Sequence, residues 1–304
     1  MRRLLPLLLL LCCCDDHPEV APQPVPPAAR PTELVSTPEF SGDNAYVHCA
    51  AICALGPRYS GSPAYEQQLQ YLEKHLHAAG WQTARDAFTA PNGVKMCNLR
   101  AFRSSAPAPL LLSCHIDTKI NIAADFESAD DGASGAAVLL ELARTLGDAP
   151  VELIFLDGEE AFARHMSETD GLYGSRHDVM RRGDTLPRWQ INLDMVGGRN
   201  KTIAVPLLDT SDFMFAQYRT AVRALGLSEE KWTVWPGGYL DDHVPYLEAG
   251  VDSLNLIAAF SGSNWWHTTR DNMSRICPHS LRDSGQITLQ LVRQLLNAAS
   301  AGGQ

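Results

Sequence analysis

Two adjacent glutamates, Glu159 and Glu160, close the run Leu-Ile-Phe-Leu-Asp-Gly-Glu-Glu at 153–160. An apolar strand that ends in neighbouring carboxylates sets like charges side by side, and something must relieve their repulsion. A metal ion on one and a proton on the other would do so. The rest of the chain offers the further ligands. His115 and Asp117 follow an apolar run ending at Cys114, and Asp194 follows one ending at Leu193. Asp131 opens Asp-Gly-Ala-Ser-Gly, small enough to turn tightly into a helix, and His267 sits in Trp-Trp-His-Thr. Zinc takes imidazole nitrogen and carboxylate oxygen in a roughly tetrahedral shell, and a catalytic site keeps one position open. The candidate ligands are therefore His115, Asp131, Glu160, Asp194 and His267, with Asp117 placed to support His115 from behind. Singly, each has an ordinary explanation: a helix cap for Asp131, a turn for Asp194, stacking on Trp266 for His267. Those explanations do not account for their shared position at the ends of apolar runs. His177, His243 and His279 read as ordinary surface or supporting histidines.

The elements that must position these groups alternate along the chain. Tyr65, Leu69, Leu72 and Leu76 recur at helical spacing, and Gly80 ends that helix. Strands are expected at 97–102 and 110–114, joined by a Ser/Ala/Pro turn, and at 151–156, 189–193 and 253–257. Helices are expected at 134–146, 213–225 and 281–298. Such alternation implies one α/β domain, with a central twisted, mostly parallel mixed sheet flanked by helices. Open sheets of this kind bind ligands outside the carboxyl ends of their strands. Three strands thus deliver His, Glu and Asp to one rim.

The amino terminus carries a different message. Arg2 and Arg3 precede an apolar run at 4–11, broken only by Pro6 and followed by Cys12, Cys13 and Cys14. That run is too short to span a bilayer but suits a signal-peptide core. Leu-Leu-Leu-Cys at 9–12 is similar to a bacterial lipoprotein signal, although a small residue usually stands where Leu11 does. The domain plan is a signal peptide at 1–14, of lipoprotein or plain secretory type, a Pro/Ala-rich tether at 15–32, and a catalytic domain at 33–304. Export to the periplasm or the exterior is expected, with membrane contact only through the lipid. The formal charge of −10 argues against nucleic acid or an anionic membrane surface as partner, and a monomer is expected. Five cysteines remain, at 49, 53, 97, 114 and 277; their odd number and the absence of CxxC argue against a structural zinc knuckle. Cys49 and Cys53 have helical spacing and read as buried thiols. Cys97 and Cys114 fall on strands expected to be neighbours.

Several stretches together resemble the zinc aminopeptidase family, and within it the glutaminyl-peptide cyclotransferases. They are Pro-Arg-Tyr-Ser-Gly-Ser-Pro (57–63), Ser-Cys-His-Ile-Asp-Thr-Lys (113–119), Leu-Leu-Glu-Leu-Ala-Arg (139–144) and Phe-Leu-Asp-Gly-Glu-Glu-Ala-Phe (155–162). To these add Leu-Tyr-Gly-Ser-Arg-His (172–177), Asn-Leu-Asp-Met-Val-Gly (192–197), Asp-Asp-His-Val-Pro-Tyr-Leu (241–247) and Trp-His-Thr (266–268). They span almost the whole mature chain in the family's order. Glu-Glu-Ala-Phe, Lys119 and the doubled Asp241-Asp242 before His243 resemble the cyclase branch more than the peptidases.

The resemblance implies that Asp131, Glu160 and His267 hold one zinc and that Glu159 is the general acid/base. It also implies that Asp194 and Asp241 complete the hydrogen-bond network and that Trp266 walls the substrate pocket. Trp265, Phe260, His165 and Ile257 are expected near that pocket. Two positions depart from the animal cyclases. His165 stands where they carry a second pocket tryptophan. Ala136 stands where they carry the cysteine that pairs with the equivalent of Cys114. The substrate would be the N-terminal Gln, or Glu, of a peptide. Its α-amine attacks its own side-chain carbonyl, so no activated water is needed. A two-metal aminopeptidase would use the same residues differently, with His115 and Asp194 on a second zinc and Asp131 bridging. A catalytically dead relative that only binds peptides is a third reading, disfavoured because no ligand is missing.

Overall fold

Runs of six buried residues build the middle of the sheet: β3 (Leu110–His115), β4 (Val151–Leu156) and β5 (Trp189–Asp194). Parallel strands covered on both faces are continuous apolar runs, which makes these three plain in the sequence. With β1 (Gln82–Thr89), β2 (Lys95–Phe102) and β8 (Asp252–Ile257) they form a six-stranded sheet of order β1-β2-β4-β3-β5-β8. The β4-β3-β5-β8 pairings are parallel, and β1 and β2 add an antiparallel edge. The expected mostly parallel mixed sheet is present. The computed structural model describes residues 30–260 and 262–301. The compact fold begins at Pro31; the expected signal, lipid anchor and all but the end of the tether lie outside the described residues.

Helices cover both faces. α1 (Gly42–Cys53), α2 (Pro63–Ala78), α3 (Gly135–Thr145), α5 (Asp212–Ala224) and α7 (Pro278–Ala301) form one packed layer. Leu110, Leu112, Leu153 and Phe155 face it. α4 (Tyr173–Arg182) and α6 (His243–Glu248) pack on the other side, over Leu111, Ile154 and Leu156. Ser62 caps α2 by accepting from the Tyr65 N–H at 3.1 Å, with Pro63 in the first turn where its missing N–H costs nothing. A short parallel pair, β6 (Ile203–Pro206) and β7 (Trp232–Trp235), stands beside the main sheet, linked by the bridge Ile203–Ala258. Among helices of the described residues, none is long and apolar enough to cross a membrane.

One expectation is corrected here. β2 and β3 follow one another in sequence but do not pair, because β4 inserts between them. Cys97 and Cys114 therefore lie on strands that are not neighbours. All five cysteines of this region are free thiols, with Cys49, Cys53 and Cys114 buried.

Candidate active site

Asp131 stands between two groups of ligands. Its Oδ1 lies 3.2 Å from His115 Nε2, and its Oδ2 lies 3.5 Å from His267 Nε2. His115 Nε2 is also 3.2 Å from Asp194 Oδ1, and His267 Nε2 is 3.0 Å from Glu160 Oε1. In the sets His115–Asp131–Asp194 and Asp131–Glu160–His267, one ligand atom from each residue lies within 4.8 Å of the others. All five residues expected as ligands come together, in two triads that share one carboxylate. Asp131 Oδ2 is buried and makes no hydrogen bond. Leaving such an atom unsatisfied costs about 1–3 kcal/mol, which a cation would remove. The donor set of imidazole and carboxylate suits zinc.

The loops that carry these ligands are held by buried polar groups. Asp131 sits in an irregular turn (Ala129–Ser134) leading into α3, followed by Gly132 at φ +101°. A Cβ at Gly132 would meet Asp117 O at 3.1 Å and His115 Cε1 at 3.3 Å, so the turn needs glycine both for its torsion and for its clearance. The fully buried Arg58 donates to Gly56 O, Glu127 O and Ser128 O. Asp271 accepts the Asp130 and Asp131 N–H groups at 2.9 and 3.1 Å, one on each carboxylate oxygen. Asp271 lies four residues after His267, so one carboxylate ties together the loops of two ligands. His267 itself has φ +53°, and Met195, next to Asp194, has φ +50°. Left-handed backbone at such residues costs on the order of 1–3 kcal/mol and clusters at functional sites.

Asp117 takes a role not visible in the sequence. Its two oxygens accept the Glu159 and Glu160 N–H groups at 3.1 and 3.2 Å, while His115 Nδ1 is 3.7 Å away. It therefore aims the glutamate pair more directly than it orients His115. Asp241 is fixed by two amides: Asn192 Nδ2 donates to Oδ1 at 3.1 Å and Asn255 Nδ2 to Oδ2 at 2.7 Å. The two asparagines are register partners on β5 and β8. Ser113 on β3 extends the row by donating to Asn192 Oδ1.

The electrostatics of the cluster are uneven. Burial pushes the Glu159 carboxyl well above the ordinary range; Glu160, Asp241 and Asp242 add to this, while His115 opposes it. Burial likewise raises Asp194. Burial alone would lower His115, but its contacts with Asp117, Asp131 and Asp194 outweigh that and hold it well above its usual value. Burial would raise Asp131, yet His115 and His267 keep its carboxyl below the ordinary range.

These groups open on a cavity of about 240 Å³, enough for one long side chain and its backbone amine. Glu159, Asp194 and Asp241 line it together with Asp131, Glu160 and His267; Ile257, Phe260, Trp266 and His165 are also in its wall. Trp266 stacks on the His267 ring at 3.9 Å. Trp265, expected in the pocket, turns instead into the core, 8 % exposed, with the Arg275 guanidinium 4.0 Å above its ring. His177 stacks on Phe88 and faces Asp86, and the buried His243 lies 3.5 Å from Asp209; neither joins a ligand triad. Asp271, Asn255 and Tyr239 are unmarked in the sequence alone, and Arg58 and Asn192 stand out there only inside the stretches 57–63 and 192–197, without a role. Asn192 and Asn255 leave a further signal as amides inside apolar strand runs.

Comparison with known proteins fixes the family. Residues 99–292 match peptidase family M28. The chain belongs to that family. The chain is similar to the glutaminyl-peptide cyclotransferase-like protein of Bos taurus, 32 % identical over 279 residues, covering 79 % of this chain and 72 % of the relative. The structure of Porphyromonas gingivalis glutaminyl cyclase superposes with a TM-score of 0.74 at 28 % identity, over 84 % of this chain and 99 % of that one. A Zn-dependent exopeptidase from Parabacteroides distasonis superposes equally well, with a TM-score of 0.74 at 26 % identity and coverages of 84 % and 99 %. These relatives place the chain in the glutaminyl cyclase branch of the zinc aminopeptidase family.

Proposed function

We propose that this enzyme is a glutaminyl-peptide cyclotransferase, converting N-terminal Gln, or Glu, of peptides to pyroglutamate. The observation that carries the reading is that Glu159 shares one aromatic-walled cavity with the set Asp131–Glu160–His267. Those three residues would hold a zinc ion, which when bound polarises the substrate's γ-carbonyl and stabilises negative charge on its oxygen. Glu159 takes a proton from the α-amine as its nitrogen bonds to the side-chain carbonyl carbon. It returns that proton to the departing nitrogen as the C–N bond breaks and ammonia leaves. A carboxyl raised by burial serves both steps. Asp241, gripped by Asn192 and Asn255, presents a fixed acceptor for the N–H groups of the reacting amide. Asp194 completes that network beside His115. Trp266, Phe260 and Ile257 limit the entry of water, which would compete as nucleophile.

The triad His115–Asp131–Asp194 favours a second reading. With a second metal there, the enzyme is an aminopeptidase in which Glu159 takes the proton of an attacking water. One experiment separates the two. Purified protein supplied with zinc is incubated with a peptide beginning in Gln and with one beginning in Leu. Ammonia release and the matching mass loss from the Gln peptide, with the Leu peptide intact, support the cyclase. Free Leu with the Gln peptide uncyclised supports the aminopeptidase.

A further inference from the structure

Five rings run in unbroken succession from the candidate metal ligand to the surface. Centroid separations are 3.9 Å for His267–Trp266, 4.7 Å for Trp266–Phe260, 5.5 Å for Phe260–Tyr239 and 6.0 Å for Tyr239–Trp235. Trp266, Phe260 and Tyr239 line the cavity; Trp235 lies beyond it and is 40 % exposed. The succession is assembled from separate parts of the chain. His267, Trp266 and Phe260 come from the loop after β8, Trp235 ends β7, and Tyr239 follows the turn Pro-Gly-Gly at 236–238. Leu240, 47 % exposed, lines the same cavity beside Tyr239.

A single exposed aromatic residue means little, but a connected series leading out of a reaction cavity gives a ligand a path. The cavity holds one residue, so the remainder of any peptide substrate must leave it along a wall. Side chains on one face of an extended peptide recur about every 7 Å. The spacing of the outer rings, 5.5 and 6.0 Å, is close to that repeat. We propose that Tyr239 and Trp235 form a binding track for the peptide that trails the N-terminal residue, selecting aromatic or large apolar side chains at alternate downstream positions. The proposal rests on the reading that a peptide's N-terminal residue occupies the cavity, and it names the class of peptide favoured there.

The test uses zinc-loaded protein carrying Glu159→Gln, which removes turnover under either reading of the reaction. Binding of pentapeptides Gln-Gly-Phe-Gly-Phe and Gln-Gly-Gly-Gly-Gly is measured by titration calorimetry, with Phe also moved singly through positions two to five. Aromatic stacking of the usual strength gives about a three- to tenfold gain for Phe at alternate positions. Adding Trp235→Ala brings the Phe/Gly ratio at the outer position to about one, and Trp235→Phe retains it. Equal affinity for Phe and Gly peptides, a gain that survives Trp235→Ala, or no binding of either peptide overturns the track. In protein with Glu159 intact, the gain falls in KM and leaves kcat alone. Phe-selective binding without ammonia release from Gln peptides sinks the cyclase reading and leaves the track standing. Ammonia release with no Phe preference does the reverse.

Discussion

The molecule holds two dense clusters of charge, one half-buried and one buried, and balances them differently. Beside β2 and β4, Arg100 and Arg182 meet Glu152 at 2.6 and 2.7 Å, Arg182 meets Asp178 at 2.5 Å, and Arg181 spans Asp178 and Asp86. Each guanidinium there has its carboxylate. At the carboxyl ends of the strands, Asp117, Asp131, Glu159, Glu160, Asp194 and Asp241 are all buried, and the bases among them are Lys119 and His115, with His267 half-buried beside Asp131 and Glu160. The titration behaviour follows. Burial would raise Asp178, but Arg182 overrides it and holds that carboxyl below its ordinary range, whereas Glu159 and Asp194 are pushed well above theirs. A balanced cluster stabilises itself and has no need of a ligand. An acid-rich one calls for cations from outside, and on the function proposed above these are a metal ion and the amine of a substrate.

The sharpest way to break this contrast is to alter one member of each cluster and compare losses. Glu159→Gln keeps the shape and removes the proton carrier. Turnover should fall by about 10²- to 10⁴-fold, with metal content and melting temperature unchanged; retained activity would remove Glu159 from the proton path. Arg182→Met should do the opposite. It leaves Glu152 with Arg100 alone and Asp178 with Arg181 alone, both partly exposed, so the loss of unfolding free energy should fall below the roughly 3–5 kcal/mol of a fully unpaired buried charge. Denaturant melts would report that loss, while metal stoichiometry and kcat stay at wild-type values. A variant that kept its stability but lost metal would erase the distinction between the clusters.

Asp271→Asn probes how the acid-rich cluster is held together. The change leaves one acceptor for the Asp130 N–H and turns a donor toward the Asp131 N–H, now an opposed pair. Loss of such outer support weakens metal binding by about 10- to 100-fold. Chelator competition on intact protein measures it, and an unchanged affinity would reduce Asp271 to a loop tether.

What the sequence revealed tracks how each part is buried. β3, β4 and β5 were legible because strands covered on both faces are unbroken apolar runs, and the acids and histidine at their ends stood out against them. α4 was not, because its buried face is Tyr173, Gly174, Ser175, Asp178 and Arg182. Those groups are satisfied by Asp242, Tyr246 and Glu152 from elsewhere in the chain, so no apolar periodicity marks the helix. β1 was equally hidden, being an edge strand with only partial burial. In the site, the candidate ligands His115, Glu160 and Asp194 could be named from their places after strands, Asp131 from its small-residue turn into a helix and His267 from its aromatic neighbours. Their supports could not, since Asp271 acts through backbone N–H groups some 140 residues earlier in the chain. The order β2-β4-β3 was hidden for a related reason: sequence neighbours pair by default, and the insertion of β4 is decided by long-range packing.

The smallest expected effect lies at the edge of the acid-rich cluster. His165 is exposed and lines the cavity mouth, and it also lines a neighbouring cavity together with Trp266. It neither joins a ligand triad nor supports one. His165→Trp adds an apolar face without touching the reacting groups, so it should act on binding alone. KM for Gln peptides should shift by about two- to fivefold with kcat unchanged, the size of one added aromatic contact. A change in kcat would mean that the rim communicates with Glu159, and no change in either constant would place His165 outside the path of the substrate. Because it alters the wall and leaves the charge cluster whole, this variant separates what the cavity selects from what the cluster catalyses.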